Sequence, residues 1–135
     1  MNNKKKELSE REMILMKYMW SAKKPVMVSD LLTFFEQEYG KKYAATTMNT
    51  MLRRLMAAGY VERGEQYIAF SGYPYSYKIS EEEYIGQQMN QYRKKHFDGS
   101  TGDFIVSLLR TQEISSEERG RIQECMDELK EKDGR

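Results

Sequence analysis

Apolar residues recur along most of this 135-residue chain at intervals of three and four, the period of a helix that buries one face. The clearest instance is residues 44–59, where Met48, Met51, Leu52 and Leu55 make a core-facing stripe and Gly59 supplies the C-terminal stop. Two similar segments precede it. Ser9-Glu10-Arg11-Glu12 has the spacing of a capping box, and behind it Ile14, Leu15, Tyr18 and Met19 form an apolar face that Trp20 closes. Lys23-Lys24-Pro25 breaks that helix, and a second carries Val28, Leu31, Leu32, Phe35 and Tyr39 inward and ends at Gly40.

The period changes after Gly59. Residues 60–70 and 73–79 are rich in Tyr, Val, Ile and Phe, with Ser71-Gly72 as a two-residue turn between them. This predicts a hairpin, with Pro74 confining the second strand to an edge. Helical signals then return. Ser80-Glu81-Glu82-Glu83 caps a fourth helix, broken at Phe97-Asp98-Gly99-Ser100; Phe104, Ile105, Leu108 and Leu109 mark a fifth; Ser115-Ser116-Glu117-Glu118 caps a sixth carrying Ile122, Cys125, Met126 and Leu129. The fold expected is mostly α with a small β-hairpin wing: a winged helix-turn-helix over residues 1–79, then three helices over 80–135. The last three helices are short and one-sided, so their apolar faces are expected to meet a second copy of the chain.

Charge divides the chain at the same place. Residues 1–79 hold 13 Lys+Arg against 8 Asp+Glu, whereas residues 80–135 hold 9 against 13, so an unremarkable net of +1 conceals a basic module and an acidic one. The basic half suits a polyanion, with Lys4-Lys5-Lys6 readable either as an arm on DNA or as a basic tail. A single cysteine fits a reducing cytoplasm; no leader-like apolar segment follows the first lysines, and no stretch approaches the roughly 18 apolar residues of a membrane span.

The chemistry is concentrated in the third helix. Thr46, Asn49, Thr50 and Arg53 repeat the helical spacing on the side away from the apolar stripe. A solvent face is usually Lys and Glu; short hydrogen-bonding groups ending in arginine suit an edge that fits a DNA groove and reaches bases and phosphates. Lys41, Lys42 and Tyr43 fall in the preceding turn, where phosphates would pass. Tyr60, Tyr67, Tyr73, Tyr75 and Tyr77 read as strand formers ahead of base-stacking platforms. Enzyme chemistry has little to stand on: His96 is the sole histidine, and there is no H-E-x-x-H, P-loop or G-x-G-x-x-G, so neither a metal site nor a cofactor is expected.

With these elements in place, the chain resembles the BlaI/MecI/CopY family of penicillinase-type repressors. The resemblance spans about residues 8–131 and is most specific where Thr46, Thr47, Thr50, Leu52, Arg54, Leu55 and Gly59 fit the pattern T-T-x-x-T-x-L-x-R-L-x-x-x-G. It implies a homodimer that binds a palindromic operator in double-stranded DNA and represses genes of the β-lactam response or a related one. Under that resemblance Thr46, Thr47, Asn49, Thr50, Arg53 and Arg54 are DNA-binding candidates; Arg54 lies off the polar stripe, where bracing the helix is an alternative, and Thr47 has capping or packing as alternatives. Dimerisation falls to Tyr92, Phe104, Ile105, Leu108, Leu109, Ile122, Met126 and Leu129. A membrane sensor-metalloprotease system that cuts such repressors in the fifth helix would meet Ser107-Leu108 here, in place of the family's Asn-Phe bond. The wing runs a few residues longer than the family pattern, and paired cysteines of the copper-responsive branch are replaced by Cys125 alone, expected to be buried on the sixth helix. Two other readings stand beside this one: a metal- or redox-responsive regulator acting through Cys125, and a winged helix that binds protein.

Overall fold

The computed structural model describes residues 7–134; the Lys4-Lys5-Lys6 run lies outside them. The order of elements is α1 (Glu10–Ser21), α2 (Val28–Tyr39), α3 (Ala45–Ala57), β1 (Val61–Arg63), β2 (Tyr75–Tyr77), α4 (Glu81–Phe97), α5 (Thr101–Thr111) and α6 (Ser116–Asp133). The chain separates into two compact units, one ending at Gln91 and the other beginning at Tyr92. No described helix is long and apolar enough to cross a membrane.

In the first unit, local signals start and stop the helices as the pattern expects. Ser9 and Glu12 form a reciprocal capping box, with bonds of 3.2 and 3.0 Å. Helix α2 has a related start, since Asp30 accepts the Met27 N–H at 2.9 Å. Helix α3 stops through a Schellman turn: Gly59 sits at φ 85, its N–H donates to the Met56 carbonyl, and the Tyr60 N–H donates to that of Leu55. At that left-handed φ a glycine meets no Cβ penalty. Leu15, Met16, Met19, Leu31, Phe35, Met48, Met51, Leu52 and Leu55 then meet in one core with Tyr60, Val61, Tyr75, Ile79 and Tyr84. Met16, which the expected α1 face omits, is fully buried, whereas Tyr39, expected inward, is 50% exposed at the end of α2.

The start of α4 belongs to this core. Trp20 donates its indole N–H to the Ile79 carbonyl at 2.9 Å, the Leu8 N–H reaches the Tyr84 hydroxyl at 3.3 Å, and Lys17 pairs with Glu81. Burial, reinforced by the neighbouring Tyr84 and Glu12, pushes the Tyr60 hydroxyl from 10.0 up to about 12.

The hairpin differs from expectation in two respects. Its strands are three residues each, pairing Val61 with Tyr77, Glu62 with Ser76 and Arg63 with Tyr75 in antiparallel register. The ladder narrows where Gly64 faces Pro74, whose carbonyl accepts the Gly64 N–H at 2.8 Å; a Cβ on Gly64 would lie 2.7 Å from the proline ring. Strand β2 stands at the edge of a two-stranded sheet, as Pro74 requires, and on its outer side only Tyr75 is engaged, exchanging two 2.8 Å backbone bonds with Val26. Finally, the turn is not Ser71-Gly72. Ile68 and Gly72 bridge each other, leaving Ala69-Phe70-Ser71 as the tip.

The second unit contains the end of α4 with α5 and α6. Asp98 (φ 48) and Gly99 (φ 83) make the break, and Ser100 and Ser115 cap the following helices by accepting the Asp103 and Glu118 N–H groups, both at 3.1 Å. Tyr92, Phe97 and Phe104 cluster, with Phe97 and Phe104 stacked at 5.2 Å. Neither α5 nor α6 buries a single residue.

Candidate nucleic-acid interface

Helix α3 has two faces with different fates. At about 100° per residue, the four buried residues Met48, Met51, Leu52 and Leu55 occupy one side. Opposite them lie Thr46, Asn49, Thr50 and Arg53, with Thr46 and Arg53 exposed and Asn49 and Thr50 half-buried. The Thr50 hydroxyl donates to the Thr46 carbonyl at 3.0 Å, which holds its rotamer and leaves its oxygen lone pairs to accept. Among the described residues, the polar positions read from the sequence therefore share one outward surface.

Thr47 and Arg54, seven residues apart, fall together on a flank. Ala44 is the N-cap and no side chain bonds to the helix start, so Thr47 does not cap; its side chain is exposed, so it does not pack either. The uncapped start leaves the first amides of α3 directed outward at the positive end of the helix, which favours anions. Arg54 lines a cleft with Glu7, Glu10, Arg11, Glu12, Lys41, Tyr43 and Tyr60, on the side of α1 rather than on the polar stripe.

The turn before α3 splits in role. Lys41 and Lys42 are exposed cations. Tyr43 is instead half-buried, its ring edge-on to Phe35 at 5.2 Å with the Arg11 guanidinium 5.2 Å from its centroid. Its ring braces the turn.

On the wing, Tyr60 and Tyr75 are buried as strand formers should be, while Tyr73 carries the Arg63 guanidinium at 4.0 Å and meets Tyr67 edge-on at 5.3 Å. Sequence reasoning missed Phe70. It stands fully exposed at the tip, with a left-handed φ of 66. The only signal was the apolar run 67–70, which reads as strand.

The dimerisation candidates behave as one set. Tyr92, Ile105, Leu108, Leu109, Ile122, Met126 and Leu129 are all exposed and Phe104 is half-buried. Ser107 and Leu108 lie in the middle of α5, where the Ser107 carbonyl accepts the Thr111 hydroxyl at 2.6 Å. Cys125 is exposed, correcting the expected burial: α6 has no neighbour over that side within the protomer.

Three helices with the third presenting a polar face, followed by a hairpin joined to its C-terminus, define the winged helix-turn-helix class of DNA-binding domain. The sequence model of the penicillinase repressor family matches residues 8–128, and the chain belongs to that family. That is a family of transcriptional regulators and not of enzymes. A search of curated proteins found no match.

Proposed function

We propose that the protein is a cytoplasmic homodimeric repressor that places α3 of each protomer in the major groove of one half of a palindromic operator. The observation that carries this reading is the division of α3: four residues buried, and Thr46, Asn49, Thr50 and Arg53 outward on the opposite face. Thr46, Asn49 and Thr50 address base edges or adjoining phosphates, and Arg53 a phosphate or a guanine edge. Thr47, Lys41, Lys42 and Arg54 flank the contact, with phosphates of the duplex as their partners. Tyr43 contributes by fixing the turn that presents the lysines.

The unit beginning at Tyr92 pairs the protomers. Its exposed apolar residues on α5 and α6, Ile105, Leu108, Leu109, Ile122, Met126 and Leu129 among them, support this role, since association takes such side chains out of water. Half-site spacing follows from that pairing, so a cut at Ser107–Leu108 by a sensor-metalloprotease system releases the operator without touching α3. The genes controlled are those of a β-lactam response or a related one. Helix α5, having no buried residue within the protomer, opens to a protease at low cost once unpaired.

Sizing chromatography combined with a DNA titration against salt tests the proposal. A dimer whose affinity for an enriched duplex falls steeply with salt is expected. Arg53→Ala should weaken binding by about 1–3 kcal/mol while leaving thermal stability unchanged. A monomer with salt-insensitive binding would sink it and favour a protein-binding winged helix.

A further inference from the structure

The tip of the wing is built to hold an aromatic ring away from the protein. Ile68 and Gly72 clamp it through backbone bonds of 2.8 and 3.0 Å, and the Ser71 N–H adds a third to Ile68 at 2.9 Å. Behind the tip, Tyr67 leans on Tyr73 and Arg63 lies over Tyr73, so the loop has its own aromatic brace. Phe70 alone has no brace: it is fully exposed and its φ of 66 is a left-handed position better suited to Gly or Asn. A bulky ring is thus held out in a conformation that favours a small residue. Such an outlier, on a clamped and braced tip, points to a task outside the protomer.

Location and charge choose the partner. The wing leaves α3 through the Gly59 turn, and both Tyr60 and Val61 are buried in the same core, so the root of the wing is anchored beside helix α3. From Arg63 to Phe70 is seven residues, a reach of up to about 23 Å. Half a turn of duplex, which separates a major groove from the minor groove beside it, is about 17 Å. Residues 66–77 include no charged side chain, with Glu62, Arg63 and Glu65 before them and Lys78 after. The tip therefore neither repels phosphates nor neutralises them; its adhesion is apolar.

We propose that Phe70 is a minor-groove wedge: on the operator, its ring enters the groove flanking the major-groove half-site and presses into a base step, with Ile68 beside it against the sugars. This inference rests on the DNA-binding reading of α3. It assigns the wing a part in affinity and DNA bending, separate from sequence reading.

The test uses the full-length protein and a duplex it enriches from a randomised pool, with 2-aminopurine placed at flanking steps. Phe70→Gly also removes the left-handed penalty, so the variant should fold at least as stably as the parent. It should nevertheless bind about tenfold more weakly, with an unchanged slope of log affinity against log salt, because no charge is removed. The flanking 2-aminopurine should brighten on binding the parent and stay dark with Phe70→Gly, and Phe70→Leu should restore most of the affinity. If the parent binds with a steep salt dependence and Phe70→Gly binds equally well, the wedge is overturned and the α3 reading stands. If the parent binds no duplex, both fall together. Unchanged DNA binding with loss of adhesion to anionic phospholipid vesicles would overturn the wedge in favour of a lipid surface.

Discussion

The two units of this protein are stabilised in opposite ways. Every buried apolar residue among those described, from Leu8 to Tyr84, lies in the unit ending at Gln91. The unit beginning at Tyr92 has α5 and α6 with no buried residue, and leaves Ile105, Leu108, Leu109, Met126 and Leu129 more than two-fifths exposed. The first unit is held by its own core. The second carries most of its apolar surface outward, and its helices rest on caps, terminal charges, short-range pairs and the Tyr92–Phe97–Phe104 ring cluster. On the proposed reading the contrast has a use: groove contacts tolerate little displacement and so profit from a rigid core, whereas pairing needs apolar surface left for a second copy to cover.

The largest expected effect comes from truncating the same residue type in each unit. Leu52 is completely buried on α3, so Leu52→Ala should cost about 2–5 kcal/mol and lower the melting temperature at every protein concentration. Leu108 is 46% exposed on α5, so Leu108→Ala should leave the first unit's stability alone and weaken pairing instead, seen as a lower dimer fraction on dilution. Equal, concentration-independent losses from both substitutions would erase the distinction between the units.

A smaller effect, confined to the first unit, appears at high pH. Tyr60 ionises at about 12 when folded against 10.0 when unfolded. Below pH 10 both states hold the proton and the full stability is present. From pH 10 to 12 the unfolded chain releases a proton that the folded chain keeps, so stability falls with rising pH, by roughly 1.4 kcal/mol per unit. Tyr60→Phe removes this slope. In denaturant titrations across that window the parent should lose stability relative to Tyr60→Phe as pH rises, and parallel curves would show that Tyr60 is not the group responsible.

The same contrast explains what was legible in the sequence. The faces of α3 could be read residue by residue, because Met48, Met51, Leu52 and Leu55 are set by a local period and their burial follows from it. The caps at Ser9 and Ser115 were legible for the same reason. The wing was not, because composition says that residues 67–70 favour strand but does not say where partners cease to align. Pairing ends at Arg63 and Tyr75, since Gly64 meets the Pro74 ring and the chain beyond closes around Phe70. Tyr39 and Cys125 failed differently. Their phase on the helix is apolar, but burial also requires a neighbour over that side, and no periodicity supplies one.

The smallest predicted effect separates the units by how much each depends on a single cap. The Ser9 cap and the Ser115 cap have nearly the same geometry, with bonds of 3.2 and 3.1 Å to the N–H three residues on. Each should contribute about 1 kcal/mol. In the first unit that loss is shared by a cooperative core, so Ser9→Ala should lower the protection of all its core amides against hydrogen exchange together, about fivefold. In α6 there is no core to share it. The helix is held by the Ser115 cap, Glu117 and Glu118 in its first turn, Lys130 and Lys132 in its last, and a 3.0 Å bond from Gln123 to Asp127. Ser115→Ala should therefore speed exchange within α6 alone, most strongly at its first turn, while amides of α1 to α3 keep their rates. Combined with Leu108→Ala the effect on α6 should grow, because on the proposed reading that substitution also weakens the pairing that covers the helix. Exchange that rose across the first unit as well would mean that the two units unfold as one.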